Sequence, residues 1–330
     1  MRGRFSVIAL LLPATASALH AQYPLLRHSI YRATPQVNFP IHAPQNKLRA
    51  AQPVALLPAL PSISAAAIWP TAAASGAVAV AAQLGLLAKF KSSKDPAVRS
   101  TAGLLAYRII ALAYTLVLTI VGGALWFNPA RWPADAAAAM LVPDGTIRWI
   151  GAVLFGELIL WDLPSTFWIK KLQRPDLIIH HVGLAIGPAL VAMKFLPVFY
   201  YAWYIGLSES SSVLLALNEY FASLHTAIED VEGEESPRLP AIASKRDGFQ
   251  IAAAGMFVAV RVLGWGYAVY LLFRDTLAVL PLAASLGVRS FLKLQLFMAS
   301  AFYGLQLFWF SKLVAYTRSS GLGGSIPDDA

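Results

Sequence analysis

Long apolar runs, each near the length of a membrane-crossing helix, dominate the chain from residue 69 to residue 317. A helix needs about 20 predominantly apolar residues to cross the hydrocarbon core of a bilayer. Inside that core every backbone N–H and C=O must be paired within the protein. The segments 69–89, 103–127, 147–169, 176–193, 197–221, 249–273 and 290–317 meet the length requirement. The stretch 276–288 is apolar but short and carries Pro281, so it reads as a re-entrant or interfacial piece, with an eighth helix as the other reading. The short alternating segments of a transmembrane β-barrel are absent. The expected fold class is therefore all-α, a polytopic membrane bundle of about seven transmembrane helices. Composition agrees, since 58% of residues are hydrophobic and only 13% charged, too little charge for the surface of a soluble domain of this size.

The N-terminal region reads differently. Arg2 and Arg4 precede an apolar run from Phe5 to Leu12, and small residues follow at Ala14, Ala16 and Ala18. These are the parts of a signal peptide, with the run too short to span, and we place it at 1–18. Residues 19–68 hold seven prolines, Arg27, Arg32, Lys47 and Arg49, and no acid. That segment reads either as a transit peptide, completing a bipartite plastid leader, or as a disordered Pro-rich arm. Integral insertion in the endoplasmic reticulum or a plastid membrane follows from these two readings. Residues 1–94 hold nine basic and no acidic residues, while the rest of the chain holds 17 of each, so the net charge of +9 sits entirely in the first 94 residues. Most of those charges belong to the leader and the first loop, which excludes a nucleic-acid partner. Having no cysteine, the chain has no disulfide, thiolate nucleophile or cysteine-ligated metal.

Basic residues also orient the spans. Lys91, Lys94 and Arg99 occupy the loop 90–102, Lys170, Lys171 and Arg174 the turn 170–175, and Arg238, Lys245 and Arg246 the loop 222–248. The basic-inside rule puts these three connections on the cytosolic side, together with the C-terminal tail 318–330. The acids Glu229, Asp230, Glu232, Glu234 and Glu235 make the loop 222–248 read as a solvated linker.

Ionisable groups inside spans are costly, and each is a site hypothesis. The third span holds Glu157 and Asp162, the fourth His180 and His181, the fifth Glu209, the second Arg108 and the sixth Arg261. At about 1.5 Å of rise per residue, Asp162 lies about 10 Å, the histidines about 6–8 Å and Arg108 about 8 Å below the cytosolic end. Glu209 is deeper, at about 18 Å. Each also has a bland reading. Asp162, two residues before Pro164, would satisfy backbone groups freed by a kink. Glu157 and Arg261 would pair with each other, and Tyr201, Tyr204, Ser208, Ser211 and Ser212 would form one polar helix face that bonds to neighbouring helices.

The order of these residues is familiar. Trp161-Asp162, the basic residues at 170–174, His180-His181-Val182-Gly183 and Glu209-Ser210-Ser211-Ser212 resemble the TLC-domain family, to which the ceramide synthases belong. Eighteen residues separate Asp162 from His180 and 29 separate His180 from Glu209, and the likeness covers 69–317. The segment around Glu209 lacks the aspartates of ceramide synthases, so the chain is closer to the broader TLC-domain proteins. The resemblance implies a membrane-lipid partner and an acyl transfer with acyl-CoA as co-substrate and no bound cofactor or metal. His180 or His181 would serve as nucleophile or general base, with Asp162 or Glu209 orienting the ring. Arg108, Lys170, Lys171 and Arg174 would bind the CoA phosphates. The alternative is a lipid-binding, sensing or transfer protein using the same cavity. A retinal protein is excluded because the last span has Lys293 and Lys312 near its ends and no lysine at mid-membrane, and a secondary transporter finds no support in an internal repeat.

Overall fold

The computed structural model describes residues 64–128, 132–133, 135–141, 144–192, 199–283 and 286–320. The expected signal peptide and the segment up to residue 63 lie outside the described residues, as do residues 321–330 of the tail. Helix α1 spans Ile68–Lys91, α2 Pro96–Ser100, α3 Ala102–Trp126, α4 Ala136–Leu141 and α5 Gly145–Trp168. They are followed by α6 Pro175–Ala192, α7 Tyr201–Tyr204, α8 Ser210–Glu232, α9 Leu239–Leu282 and α10 Leu286–Ser320. No strand occurs among the described residues. Among the described residues five helices, α1, α3, α5, α9 and α10, are long and apolar enough to cross a membrane. Their outward faces carry Val78, Leu84, Ile120, Ile251, Leu263 and Phe297, all exposed. Large exposed apolar surface is stable against lipid and not against water. The chain is an integral, multi-pass membrane protein.

Expectation and structure part in three places. The segment 276–288 is not a separate piece, since its first residues continue α9 as far as Leu282, whereas 176–193 forms the helix α6 as expected, with Pro188 inside it. The segment 197–221 is not one span: α7 ends at Tyr204, Leu207–Glu209 forms a 3-10 turn, and α8 starts at Ser210. Gly206 sits in this break, where the chain crosses α3. A Cβ on Gly122 would lie 2.5 Å from Gly206 Cα, and one on Gly206 would lie 2.6 Å from Gly122 Cα. Two glycines allow that backbone contact, and the polar stripe expected on one helix is divided by it. Finally, 222–248 is not a loop. Helix α8 runs to Glu232 and α9 begins at Leu239, so the connection shrinks to a turn over 233–238. Gly233 supplies its left-handed residue, with φ 88°.

Contacts confirm that basic connections share one end. Arg238 Nη2 of the α8–α9 turn lies 2.5 Å from Asp95 Oδ2 of the α1–α3 connection. Beneath them Ala97, Leu105, Leu224, Ile228 and Leu239 form a small core, and Leu172, beside the second basic turn, packs with Leu104 and Tyr107. At the opposite end Trp126 stacks on Phe199 and Trp132 packs against both at a tilt.

Asp95 does two jobs at the basic end. Its Oδ1 accepts from Ala97 N at 3.0 Å and Val98 N at 3.4 Å, which caps α2, and its Oδ2 meets Arg238. The Arg238 guanidinium holds the Asp95 carboxyl below its ordinary value. A lowered carboxyl pKa stabilises the fold above the ordinary carboxylate range, and that stability disappears as pH falls through the lowered value. Asp95→Asn keeps the cap and loses the partly exposed, screened ion pair, so it should cost under about 1 kcal/mol and flatten the acid limb of stability. Asp95→Ala also removes the cap, raising the loss to about 1–2 kcal/mol. Thermal unfolding of both variants between neutral and acidic pH checks this.

Candidate functional site

The third span carries a built-in irregularity at the point where chemistry would occur. Pro164 has no N–H and its ring crowds the carbonyl four residues back. Helix α5 answers with a π turn over Leu158–Asp162 immediately before it. The widened turn, a device found at functional sites, leaves Asp162 buried within the bundle. Asp162 Oδ1 accepts a hydrogen bond from Tyr107 Oη of α3 at 2.5 Å. Its Oδ2 lies 2.5 Å from His181 Nδ1 of α6. Asp162 is thus committed to side chains of two neighbouring helices and not to backbone groups freed by the kink. Trp161 roofs the array, its ring stacked 5.0 Å from that of Tyr107 and its Nε1 donating to Gln83 Oε1 of α1.

The adjacent histidines diverge, as a helix requires of neighbours. His180 is 8% exposed and its ring meets Trp309 edge-on at 4.9 Å and Phe302 at 6.1 Å, both on α10. One turn along the same face of α6, Gly183 faces Phe302. Below it opens a small, largely apolar crevice between α6, α7, α9 and α10, lined among others by Gly187, Tyr201, Ile205, Met298 and Phe302. His181 touches the carboxylate, and His180 stands over the crevice.

Glu209 does not join the histidines. At the start of α8, where a carboxylate suits the helix dipole, its Oε1 lies 3.2 Å from Arg261 Nη2. Arg261 also donates from Nε to Ser211 Oγ at 2.7 Å and from Nη2 to Ser212 Oγ at 2.7 Å. A second π segment, Phe257–Gly264, carries Arg261 into the bundle. The expected Glu157–Arg261 pair is therefore replaced by Glu209–Arg261. Glu157, buried, lies close enough to both Asp162 and Glu209 to experience their charges.

The basic candidates separate. Arg108 Nη2 donates to Glu219 Oε2 of α8 at 2.8 Å, and its guanidinium lies 5.3 Å from the Tyr107 ring centroid, so it braces the array from behind. Lys170 and Lys171 lie on a 3-10 turn just beyond α5, and they and Arg174 are exposed at the basic end. No three His, Asp or Glu groups among the described residues are placed as metal ligands. Sequence reasoning missed Tyr107, although it adjoins Arg108 and shares its depth with Asp162. A depth argument confined to ionisable residues passes over a phenol.

His181 Nδ1 touches the carboxylate without an aligned hydrogen bond to it, and a turn of the ring that aligns the two gives the array one chemical use. A carboxylate at Nδ1 orients an imidazole and favours the tautomer with Nε2 free to accept a proton, and Tyr107 holds that carboxylate. Comparison with curated proteins and with solved structures gives no match. The family model described as the TLC domain matches residues 105–315, which include every residue of the array and of the crevice. With helices that suit a bilayer and a match over most of its length, the chain belongs to the TLC-domain family.

Proposed function

We propose that this TLC-domain membrane protein transfers an acyl group from a thioester such as acyl-CoA to the amine or hydroxyl of a membrane lipid. The observation that carries the reading is the His181–Asp162–Tyr107 array at the basic end, on the helix α6 whose following turns wall an apolar crevice on the side of His180. His181 Nε2 takes the proton from the acceptor N–H or O–H. The acceptor atom bonds to the acyl carbonyl carbon, the carbon–sulfur bond breaks, and the departing thiolate receives the proton from the imidazolium. Asp162 stabilises that imidazolium as the third member of a triad does. The acyl chain occupies the crevice beneath His180, and the CoA phosphates take Lys170, Lys171 and Arg174, since Arg108 is engaged with Glu219. The acid-free segment 19–68 supports delivery to the endoplasmic reticulum or a plastid membrane.

A lipid-binding or transfer role is favoured by a different observation, the aromatic walls around His180, which suit packing more than proton transfer. Native mass spectrometry with long-chain acyl-CoA separates the two. Acyl transfer predicts CoA release that His181→Ala abolishes, with His180→Ala retaining part of it. Bound lipid with no CoA release in the wild type would leave the lipid-binding role.

A further inference from the structure

The turn between α5 and α6 has features that orientation in a membrane does not require of it. Lys170 and Lys171 are exposed, yet Leu172 beside them is 1% exposed and packs with Leu104 and Tyr107 of α3. The backbone is held as well. Leu172 N donates to Ile169 O at 2.8 Å and Arg174 N to Leu172 O at 2.8 Å, while Gln173 Nε2 donates to Phe167 O at 2.7 Å. The two lysines are thus fixed at their roots. Leu86 of α1 joins the same cluster, and exposed Lys89 lies three residues further along that face of the helix. From Leu163 to Val191 the chain holds one acid, Asp176, against Lys170, Lys171 and Arg174.

Apolar surface continues from these cations. Trp168, two residues before Lys170, is 84% exposed, as suits an aromatic residue at the level of the lipid headgroups. Below the turn, Ile179, Val182 and Ile186 recur at helical spacing on α6 and are all exposed, so they form one outward ridge. At about 1.5 Å of rise per residue, the ridge runs from about 6 Å to about 16 Å below the first residue of α6. None of the three lines the crevice, so this face is separate from it.

A rigid basic turn above a membrane-facing apolar ridge matches a molecule with an anionic head and apolar chains. Phosphate oxygens accept strongly from ammonium groups, and anionic lipids attract lysines placed just outside a spanning helix. Acyl-CoA shares the anionic chemistry and would take the same cations in turn. Its chain belongs in the crevice, however, so the ridge points to a lipid of the surrounding leaflet.

We propose that the α5–α6 turn and the ridge below it bind an anionic phospholipid of the leaflet at the basic end. Its phosphate meets Lys170, Lys171 and Lys89, and its chains lie along Ile179, Val182 and Ile186. The site goes beyond the acyl-transfer reading and needs none of its chemistry.

The test is native mass spectrometry of the full-length protein with equal amounts of dioleoyl phosphatidylglycerol and dioleoyl phosphatidylcholine, which differ only in the headgroup. The wild type should retain the anionic lipid about tenfold better. Lys170→Gln/Lys171→Gln should lower that ratio to about two, and Lys89→Gln, on another helix, should lower it to about five. Lys245→Gln/Arg246→Gln removes two cations from the same end on α9 and should leave the ratio within about twofold of wild type. Trp168→Ala should weaken both lipids about threefold and keep the ratio. Glycerophosphoglycerol, the same head without chains, should leave no adduct where the lipid saturates, which separates a leaflet lipid from a soluble phosphate. The ratio should persist in His181→Ala, so loss of CoA release with the ratio intact keeps this inference apart from the transferase reading. A wild-type ratio near one, a ratio that survives Lys170→Gln/Lys171→Gln or falls equally in Lys245→Gln/Arg246→Gln, or an equal adduct with the chain-free head would overturn it.

Discussion

Asp162→Asn should lower thioester turnover by about a hundred- to ten-thousand-fold while the protein stays folded and still binds lipid. The asparagine carbonyl still accepts from Tyr107 Oη, which now reaches Asp162 Oδ1 at 2.5 Å. That leaves the amide N–H₂ facing His181 Nδ1, where Oδ2 now lies 2.5 Å away. An amide donor there favours the imidazole with Nδ1 unprotonated and Nε2 carrying the hydrogen, which is the wrong tautomer for a base. The imidazolium also loses its counter-charge. Tyr107→Phe acts one step further out, releasing the carboxylate's far oxygen, and should lower turnover by about tenfold with the same direction. Steady-state CoA release, read beside the thermal midpoint of each variant, checks both. Unchanged turnover in Asp162→Asn would reduce the array to a structural clamp between α3, α5 and α6.

Arg261→Met should destabilise the bundle by about 3–5 kcal/mol, the scale for stranding one member of a buried ion pair. The guanidinium satisfies Glu209, Ser211 and Ser212 together, so its removal leaves the carboxylate and two hydroxyls facing apolar surroundings. Changing both partners, Arg261→Met with Glu209→Met, should recover much of that loss, because a stranded charge costs more than an absent pair. Thermal unfolding of the two single variants and the double variant measures the coupling. The same experiment decides what Glu209 does. If it works only as a partner to Arg261, Glu209→Gln lowers stability and leaves turnover per folded molecule unchanged. If turnover falls and stability holds, Glu209 belongs to the chemistry.

The helical membrane class was legible in the sequence because it rests on apolar run length, a local property. So was the depth shared by Asp162 and the histidine pair, since rise per residue converts position into depth before any contact is known. That argument placed Asp162 and His181 in one layer, and they do meet. It failed at Glu209, where it assumed an unbroken helix. The break at Gly206 depends on α3 presenting Gly122 at the crossing point, and a long-range contact leaves no periodic trace. The same holds for the loop 222–248, whose acids suggested a linker while its apolar Leu224, Ala227 and Ile228 were spaced to cover α2 and α3.

Which polar group meets which was beyond the sequence for a related reason. Asp162, Glu157 and Glu209 all needed partners in an apolar interior, and depth alone left several pairings open. The π turns at Leu158–Asp162 and Phe257–Gly264 each shift the helix faces that follow, and this local rotation decides that Arg261 reaches Glu209 and Asp162 reaches His181. Run length, basic-residue placement and the order of the chemical groups therefore came from the chain alone. Partner choice and the crevice exist only where separate helices converge, because they are properties of facing surfaces and not of any one segment.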